Sequence, residues 1–267
     1  MKTVDLGDVD LAVEDRGSGL VLLFVHGFPL NHTMWRAQID EFSRHYRVLA
    51  PDLRGFGASG LGSGEVTMRR YADDLAVLLD RLGIRDKIVY CGLSMGGYIA
   101  WQFWQKYAGR LAGLVLCDTR AVGDAPQAKA GRAELAARVL AEGAKPAADA
   151  MMSKLFGPES HRDHPQAIEQ TRAAILANPP AGIAAALDGM ANRPDATEML
   201  AGIDVPTLVV VGEHDSISPV AEMRGIAERI PGAELAVIPN AGHMSPLEEP
   251  RAFNEALARF LRRMTNA

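Results

Sequence analysis

Cys91-Gly92-Leu93-Ser94-Met95-Gly96-Gly97 is the stretch on which the reading of this chain turns. It lies between a short run of strand formers, Ile88 to Tyr90, and a segment from Met95 to Tyr107 with the length and apolar spacing of a helix. Ser94 therefore stands at a strand-to-helix corner. Such a corner strains the backbone of its central residue, so a side chain two positions before or after it would strike the neighbouring turn. Gly92 and Gly96 meet that need, and none of Ser18, Ser43, Ser59, Ser63, Ser153, Ser160, Ser216, Ser218 or Ser245 has glycine at that spacing on both sides. A helix that begins just after Ser94 also aims free N–H groups and positive dipole charge at the place where a substrate oxyanion would form. The corner thus presents Ser94 as a nucleophile and points to a serine hydrolase, although a glycine-rich turn holding a serine is also what an ordinary strand-helix connection looks like.

Working outward, compact apolar runs recur at Val9 to Val13, Leu20 to Val25, Val48 to Ala50, Gly113 to Cys117, Thr207 to Val211 and Leu235 to Ile238. From Leu20 onward most lack in-out alternation, as expected for strands of a parallel sheet covered by helices on both faces. Helical patterns fall between them at Thr33 to Phe42, Thr67 to Leu82, Pro219 to Ile230 and Pro250 to Met264. The alternating order predicts an α/β fold with a doubly wound, mostly parallel sheet. One stretch breaks the rhythm: from Arg120 to about Ala186 there is no strand candidate, only alanine-rich helical segments broken by glycine and proline. An insertion entering at a strand's C-terminal end lies over the sheet edge where ligands bind in such folds, so residues 121–186 are expected to form a helical cap on a core of residues 1–120 and 187–267. Met151, Met152, Leu155 and Phe156 are candidates either for the wall of an apolar cavity or for the core of the cap.

A serine hydroxyl is a poor nucleophile at neutral pH unless a histidine takes its proton and a carboxylate fixes that histidine's tautomer. His243 follows the run Leu235 to Ile238 in the turn Pro239-Asn240-Ala241-Gly242-His243-Met244, at the same sheet edge as Ser94, and is the expected base. His26 opens a glycine turn and is expected to serve it. His32 and His45 lie near a helical segment, His161 and His164 flank Asp163 in a charged part of the insertion with no further metal ligands, and His214 adjoins Asp215. Asp215, after the run Thr207 to Val211, gives the chain order serine, acid, histidine and is the expected acid. Asp118, which ends the neighbouring run Gly113 to Cys117, is the rival, and Glu213 a weaker one. The turn His26-Gly27-Phe28-Pro29 can aim the N–H of Phe28 at the serine, and with the N–H of Met95 that supplies two oxyanion donors. Pro29 has no N–H to give.

A formal net charge of -5 and basic clusters no larger than Arg69-Arg70 and Arg262-Arg263 argue against a nucleic-acid partner. The longest apolar run is far too short to span a bilayer, and Cys91 and Cys117 suit buried thiols in a reducing compartment. The expectation is a cytoplasmic protein acting on a small molecule, with self-association left open.

These motifs, in order, resemble the α/β-hydrolase family along essentially the whole chain. Gly92 to Gly97 looks like its nucleophile elbow, His26 to Pro29 its oxyanion turn, Asp52-Leu53-Arg54-Gly55-Phe56-Gly57-Ala58-Ser59 the loop after its fourth strand, Gly212 to Asp215 its acid loop and Gly242-His243 its histidine loop. Within the family the chain is similar to bacterial carboxylesterases, 3-oxoadipate enol-lactonases and cofactor-free haloperoxidases. The resemblance implies a cap inserted after the sixth strand, no metal or organic cofactor, and cleavage of a small carboxylic ester or lactone. It also keeps perhydrolysis and ligand sensing with a retained triad as alternatives. Epoxide hydrolases and haloalkane dehalogenases carry aspartate where Ser94 stands. Proline iminopeptidases usually show a second glycine where Phe28 stands, and carbon-carbon bond hydrolases a glycine-rich oxyanion turn, which His26 to Leu30 does not match.

Overall fold

The computed structural model describes residues Met1–Asn266. Eight strands form one sheet: β1 Lys2–Asp5, β2 Asp10–Arg16, β3 Val21–Val25, β4 Arg47–Pro51, β5 Ile88–Leu93, β6 Leu111–Cys117, β7 Thr207–Gly212 and β8 Glu234–Ile238. Their order is β1-β2-β4-β3-β5-β6-β7-β8, with β1 and β2 antiparallel and the rest parallel. The sheet is the predicted doubly wound one. Strand β1 escaped the sequence reading because Lys2–Asp5 has no apolar face: all but one of its residues are exposed, and it exists by pairing with β2 in the register Lys2↔Val13.

Helices α1 Arg36–Phe42, α2 Met68–Arg81 and α3 Met95–Tyr107 follow in chain order. The segment expected as one helix from Thr33 divides, since a 3-10 turn, His32–Trp35, precedes α1 and is capped by the Asn31 side chain. Thr67 does cap α2, its side chain accepting from the N–H of Arg70. Between β6 and β7 come α4 Pro126–Glu142, α5 Lys145–Leu155, α6 Ser160–Asp163, α7 Pro165–Ala177 and α8 Pro180–Ala191. The last of these runs through the expected boundary at residue 186 to Ala191, because Ile183, Leu187 and Met190 continue one buried face. After β7 come α9 Val220–Arg229, α10 Ser245–Glu248 and α11 Pro250–Asn266.

The core is divided by the sheet. One apolar cluster packs α2, α3 and α9 against it through residues such as Tyr71, Leu75, Ile99, Phe103 and Met223. The other packs α1 and α11 through Ile39, Phe42, Phe253 and Leu257. Strands β3, β5, β6 and β7 are buried almost throughout, which is why their sequences read as unbroken apolar runs. Cys91 and Cys117 are buried free thiols on neighbouring strands, their Sγ atoms 3.8 Å apart.

Candidate active site

The C-terminal ends of β3, β5, β6, β7 and β8 lie side by side, and each carries one of the residues singled out in the sequence. Ser94 follows β5 and occupies φ 53°, ψ −109°, a region an L-residue seldom adopts. The glycines explain how it is held there. A Cβ on Gly92 would lie 2.5 Å from the Gly96 carbonyl oxygen, and one on Gly96 would lie 2.4 Å from the carbonyl oxygen of Val25. The elbow is therefore pressed against its own helix and against the end of β3. The Ser94 N–H donates to the Cys117 carbonyl at 2.9 Å, and the Thr119 hydroxyl donates to the Ser94 carbonyl at 2.8 Å, so β6 fixes the turn from the other side.

The turn His26 to Pro29 meets the elbow directly, since a Cβ on Gly27 would sit 2.7 Å from a Leu93 methyl and 3.4 Å from Ser94 Cβ. His26 serves that turn, as expected. Its Nε2 accepts the Leu53 N–H at 2.9 Å, which leaves the proton on Nδ1, 3.0 Å from the Gly27 carbonyl. Burial drives its pKa down to about 4, so the ring is neutral and acts as a strut between β3 and the loop after β4. That loop is braced in turn by Arg54, which is fully buried and bonded through its Nε and Nη2 to both oxygens of Asp74, at 2.8 and 2.7 Å. Phe28 and Met95 are both buried beside the serine. Met95 opens α3, so its N–H is one of the helix's unclaimed first-turn donors.

His243 and Asp215 are brought together. The imidazole Nδ1 lies 2.8 Å from Asp215 Oδ2, with both side chains sealed from solvent. Asp215 also accepts from the Ile217 N–H at 2.7 Å, the Ser218 N–H at 3.1 Å and the Ser218 hydroxyl at 2.5 Å. Burial alone would raise its pKa, but the charge and hydrogen bond of His243 and the donors of Ser218 hold the carboxyl below its ordinary value. Among the described residues Asp118 makes no hydrogen bond or ion pair with the imidazole. Its Oδ1 accepts the Gly212 N–H at 2.8 Å and its Oδ2 hydrogen-bonds the Ser245 hydroxyl, so it links the end of β7 to the turn just beyond His243. Full burial, and then the neighbouring negative charge of Asp215, push its pKa well above the usual carboxylate range. Glu213 accepts instead from the Asn240 N–H at 3.2 Å.

Two residues that the sequence did not flag hold the histidine loop. Ser218 lies three residues beyond Asp215, a spacing at which a hydroxyl and N–H fold back onto an aspartate. Glu248 is fully buried and saturated: Oε1 accepts the N–H groups of Gly242 and Met244, on either side of His243, at 2.9 and 3.0 Å. Its Oε2 accepts the Gly157 N–H at 2.7 Å and the Ser160 hydroxyl at 2.5 Å, both from the helical insertion. The histidine loop and the insertion thus share one carboxylate.

Ser94 faces a cavity of about 360 Å³, with Phe28, Tyr98, Met151 and Met190 among its walls. Of the four apolar candidates, Met151 lines this space, while Leu155 and Phe156 are buried in the core and Met152 packs against it. A larger groove of about 730 Å³, beside Arg16, His32 and Gln170, is lined by none of Ser94, Asp215 and His243. There His32 bonds through Nδ1 to Asp52 at 2.6 Å, part of the bracing of the loop after β4. Among the described residues no group of three or more His, Cys, Asp or Glu side chains is arranged to hold a metal, and no helix is long and apolar enough to cross a membrane.

Comparison with known proteins agrees with this architecture. An esterase from Thermogutta terrifontis, solved with malate bound, is 50% identical and superposes with a TM-score of 0.94, covering 96% of this chain and 94% of that one. 3-oxoadipate enol-lactonase 2 of Acinetobacter baylyi is 31% identical over 91% of this chain and 88% of its own length. A non-heme haloperoxidase of Rhodococcus erythropolis is 31% identical over 88% and 89% of the two chains. The profile of the alpha/beta hydrolase fold matches residues 21–250, and with relatives named as esterase and lactonase the chain belongs to that family as a hydrolase.

Proposed function

We propose that the protein cleaves a small carboxylic ester or lactone through an acyl-enzyme formed on Ser94. The reading rests on one observation above all: the buried His243–Asp215 pair, 2.8 Å apart, lies at the same sheet edge as the strained Ser94 elbow. Asp215 is ionised and accepts the Nδ1 proton, which leaves Nε2 of His243 free to take a proton from the serine hydroxyl. Ser94 Oγ attacks the acyl carbon and the carbonyl oxygen becomes an oxyanion, which the N–H groups of Phe28 and Met95 receive. Each donor is worth on the order of 3 kcal/mol to such a state. Protonated His243 then gives its proton to the leaving oxygen, and water, deprotonated by the same imidazole, releases the acid and restores Ser94. The charge that develops on His243 is stabilised by Asp215 in a site closed to solvent. Helices α4, α5 and α8 cap the cavity and select the substrate, consistent with Arg132, Met151, Lys154 and Met190 lining it.

The test is turnover of p-nitrophenyl acetate by the wild type and by Ser94→Ala. The expected result is release of p-nitrophenol that the substitution abolishes; undiminished turnover by the variant would refute the assignment.

A further inference from the structure

The turn that joins α5 to α6, residues 155–160, is laid directly on the loop that carries His243. Gly157 and Gly242 meet backbone to backbone: a Cβ on Gly242 would lie 2.4 Å from the Gly157 nitrogen and 2.7 Å from the Phe156 carbonyl carbon, and one on Gly157 would lie 3.0 Å from the Gly242 nitrogen. No side chain fits between the two chains there. On the far side of His243 the Met244 N–H is shared between the Leu155 carbonyl at 3.1 Å and Glu248 Oε1 at 3.0 Å. The same turn reaches the acid loop, where Glu159 Oε2 lies 3.7 Å from Nε2 of His214, the residue before Asp215.

Glu248 stands at the centre of this junction. It closes α10, a single helical turn whose Glu248 N–H donates to the Met244 carbonyl at 2.9 Å, so its side chain folds back over the loop that the helix follows. Each carboxylate oxygen takes two donors: Oε1 the N–H groups on either side of His243, Oε2 the Gly157 N–H and the Ser160 hydroxyl. A shift of the insertion's turn therefore pulls on the group that pins both neighbours of the imidazole. Glu248, Gly157 and Ser160 are buried and are not among the residues that line the cavity at Ser94, so they act elsewhere than on the substrate.

We infer that Glu248 is a positioning residue through which docking of the insertion sets the place of the His243 imidazole relative to Ser94. The cap then does more than wall in the substrate, because its 155–160 turn is a structural part of the base. This inference rests on the acyl-enzyme reading above and adds residues that work through His243 without touching the substrate. Misplacement of a catalytic group by about 1 Å costs about a hundredfold in rate, and a loss of that origin falls on kcat and spares KM.

The test is hydrolysis of p-nitrophenyl acetate, with kcat expressed per active site after the sites have been counted by complete fluorophosphonate labelling, and with melting temperatures alongside. Ser160→Ala removes one donor from the insertion's side and is expected to lower kcat about tenfold with KM within about twofold of the wild type. Glu248→Gln keeps the volume but sets an amide NH2 against an N–H donor, and is expected to lower kcat about a hundredfold. The double variant should be no slower than Glu248→Gln, since the two changes act through one carboxylate. Ser153→Ala removes an exposed hydroxyl from α5 and should keep the wild-type kcat. Should Glu248→Gln fail to fold, Ser160→Ala against Ser153→Ala decides alone. A wild-type kcat in Ser160→Ala, a loss carried by KM, or losses that multiply in the double variant would overturn the inference. Turnover that survives Ser94→Ala would instead overturn the reading beneath it.

Discussion

Ser94 and Asp118 both sit in the left-handed region of backbone space, at φ 53° and 45°, and both end strands at the same sheet edge, yet they do different work. Ser94 is strained to expose a hydroxyl, whereas Asp118 is turned inward to join the acid loop to the histidine loop. The rivalry between Asp215 and Asp118 in the sequence turns on which carboxyl bonds the imidazole, and of the two it is Asp215 that does so, at 2.8 Å, while Asp118 accepts from Gly212. Asn in place of Asp118 can still accept from Gly212 and bond Ser245. Asp118→Asn is therefore expected to keep most of the activity, while Asp215→Asn should lose about four orders of magnitude in kcat, as when a triad histidine is left in the wrong tautomer. Steady-state kinetics of the two purified variants decide the matter, and the reverse ranking would move the acid to Asp118.

At the scale of elements, legibility followed locality. The elbow and the strand ends could be read because their signals, glycines around one serine and apolar runs before each loop, lie within a few residues of the groups they position. Glu248 could not be read, because its meaning depends on Gly157, a partner 91 residues away. The split of the first helix at Trp35 was hidden for a similar reason, since its apolar residues suit a 3-10 turn as well as an α-helix. The elbow itself yields a sharp expectation. Gly96→Ala would drive a methyl into the Val25 carbonyl, a backbone atom of β3 that cannot swing aside. Chemical denaturation should show a loss of about 1–3 kcal/mol, accompanied by a fall in kcat as the serine is displaced. Wild-type stability in the Gly96→Ala protein would mean that the close approach is not a constraint.

Over the whole molecule, the sheet acts as a rack that delivers side chains from five adjacent strands to one edge, and buried polar struts keep the loops on that edge in register. His26 is such a strut, and its charge state ties stability to pH. Its folded pKa, about 4, lies below the 6.5 of a free histidine, so between these values the unfolded chain binds a proton that the folded one refuses. The stabilisation is present above about pH 6.5 and is lost as pH falls through that window, by about 3 kcal/mol in all. His26→Gln should be less stable at neutral pH but should lose less on acidification, so denaturation midpoints at about pH 7 and about pH 4.5 must converge. Parallel slopes for the two proteins would count against a neutral buried imidazole. The account as a whole depends on Ser94 being activated as a nucleophile by His243. Its most direct test is intact mass and peptide mapping after treatment with a fluorophosphonate: the account predicts a single adduct on Ser94 that is lost in His243→Ala, and labelling at another residue, or undiminished labelling without His243, would contradict it.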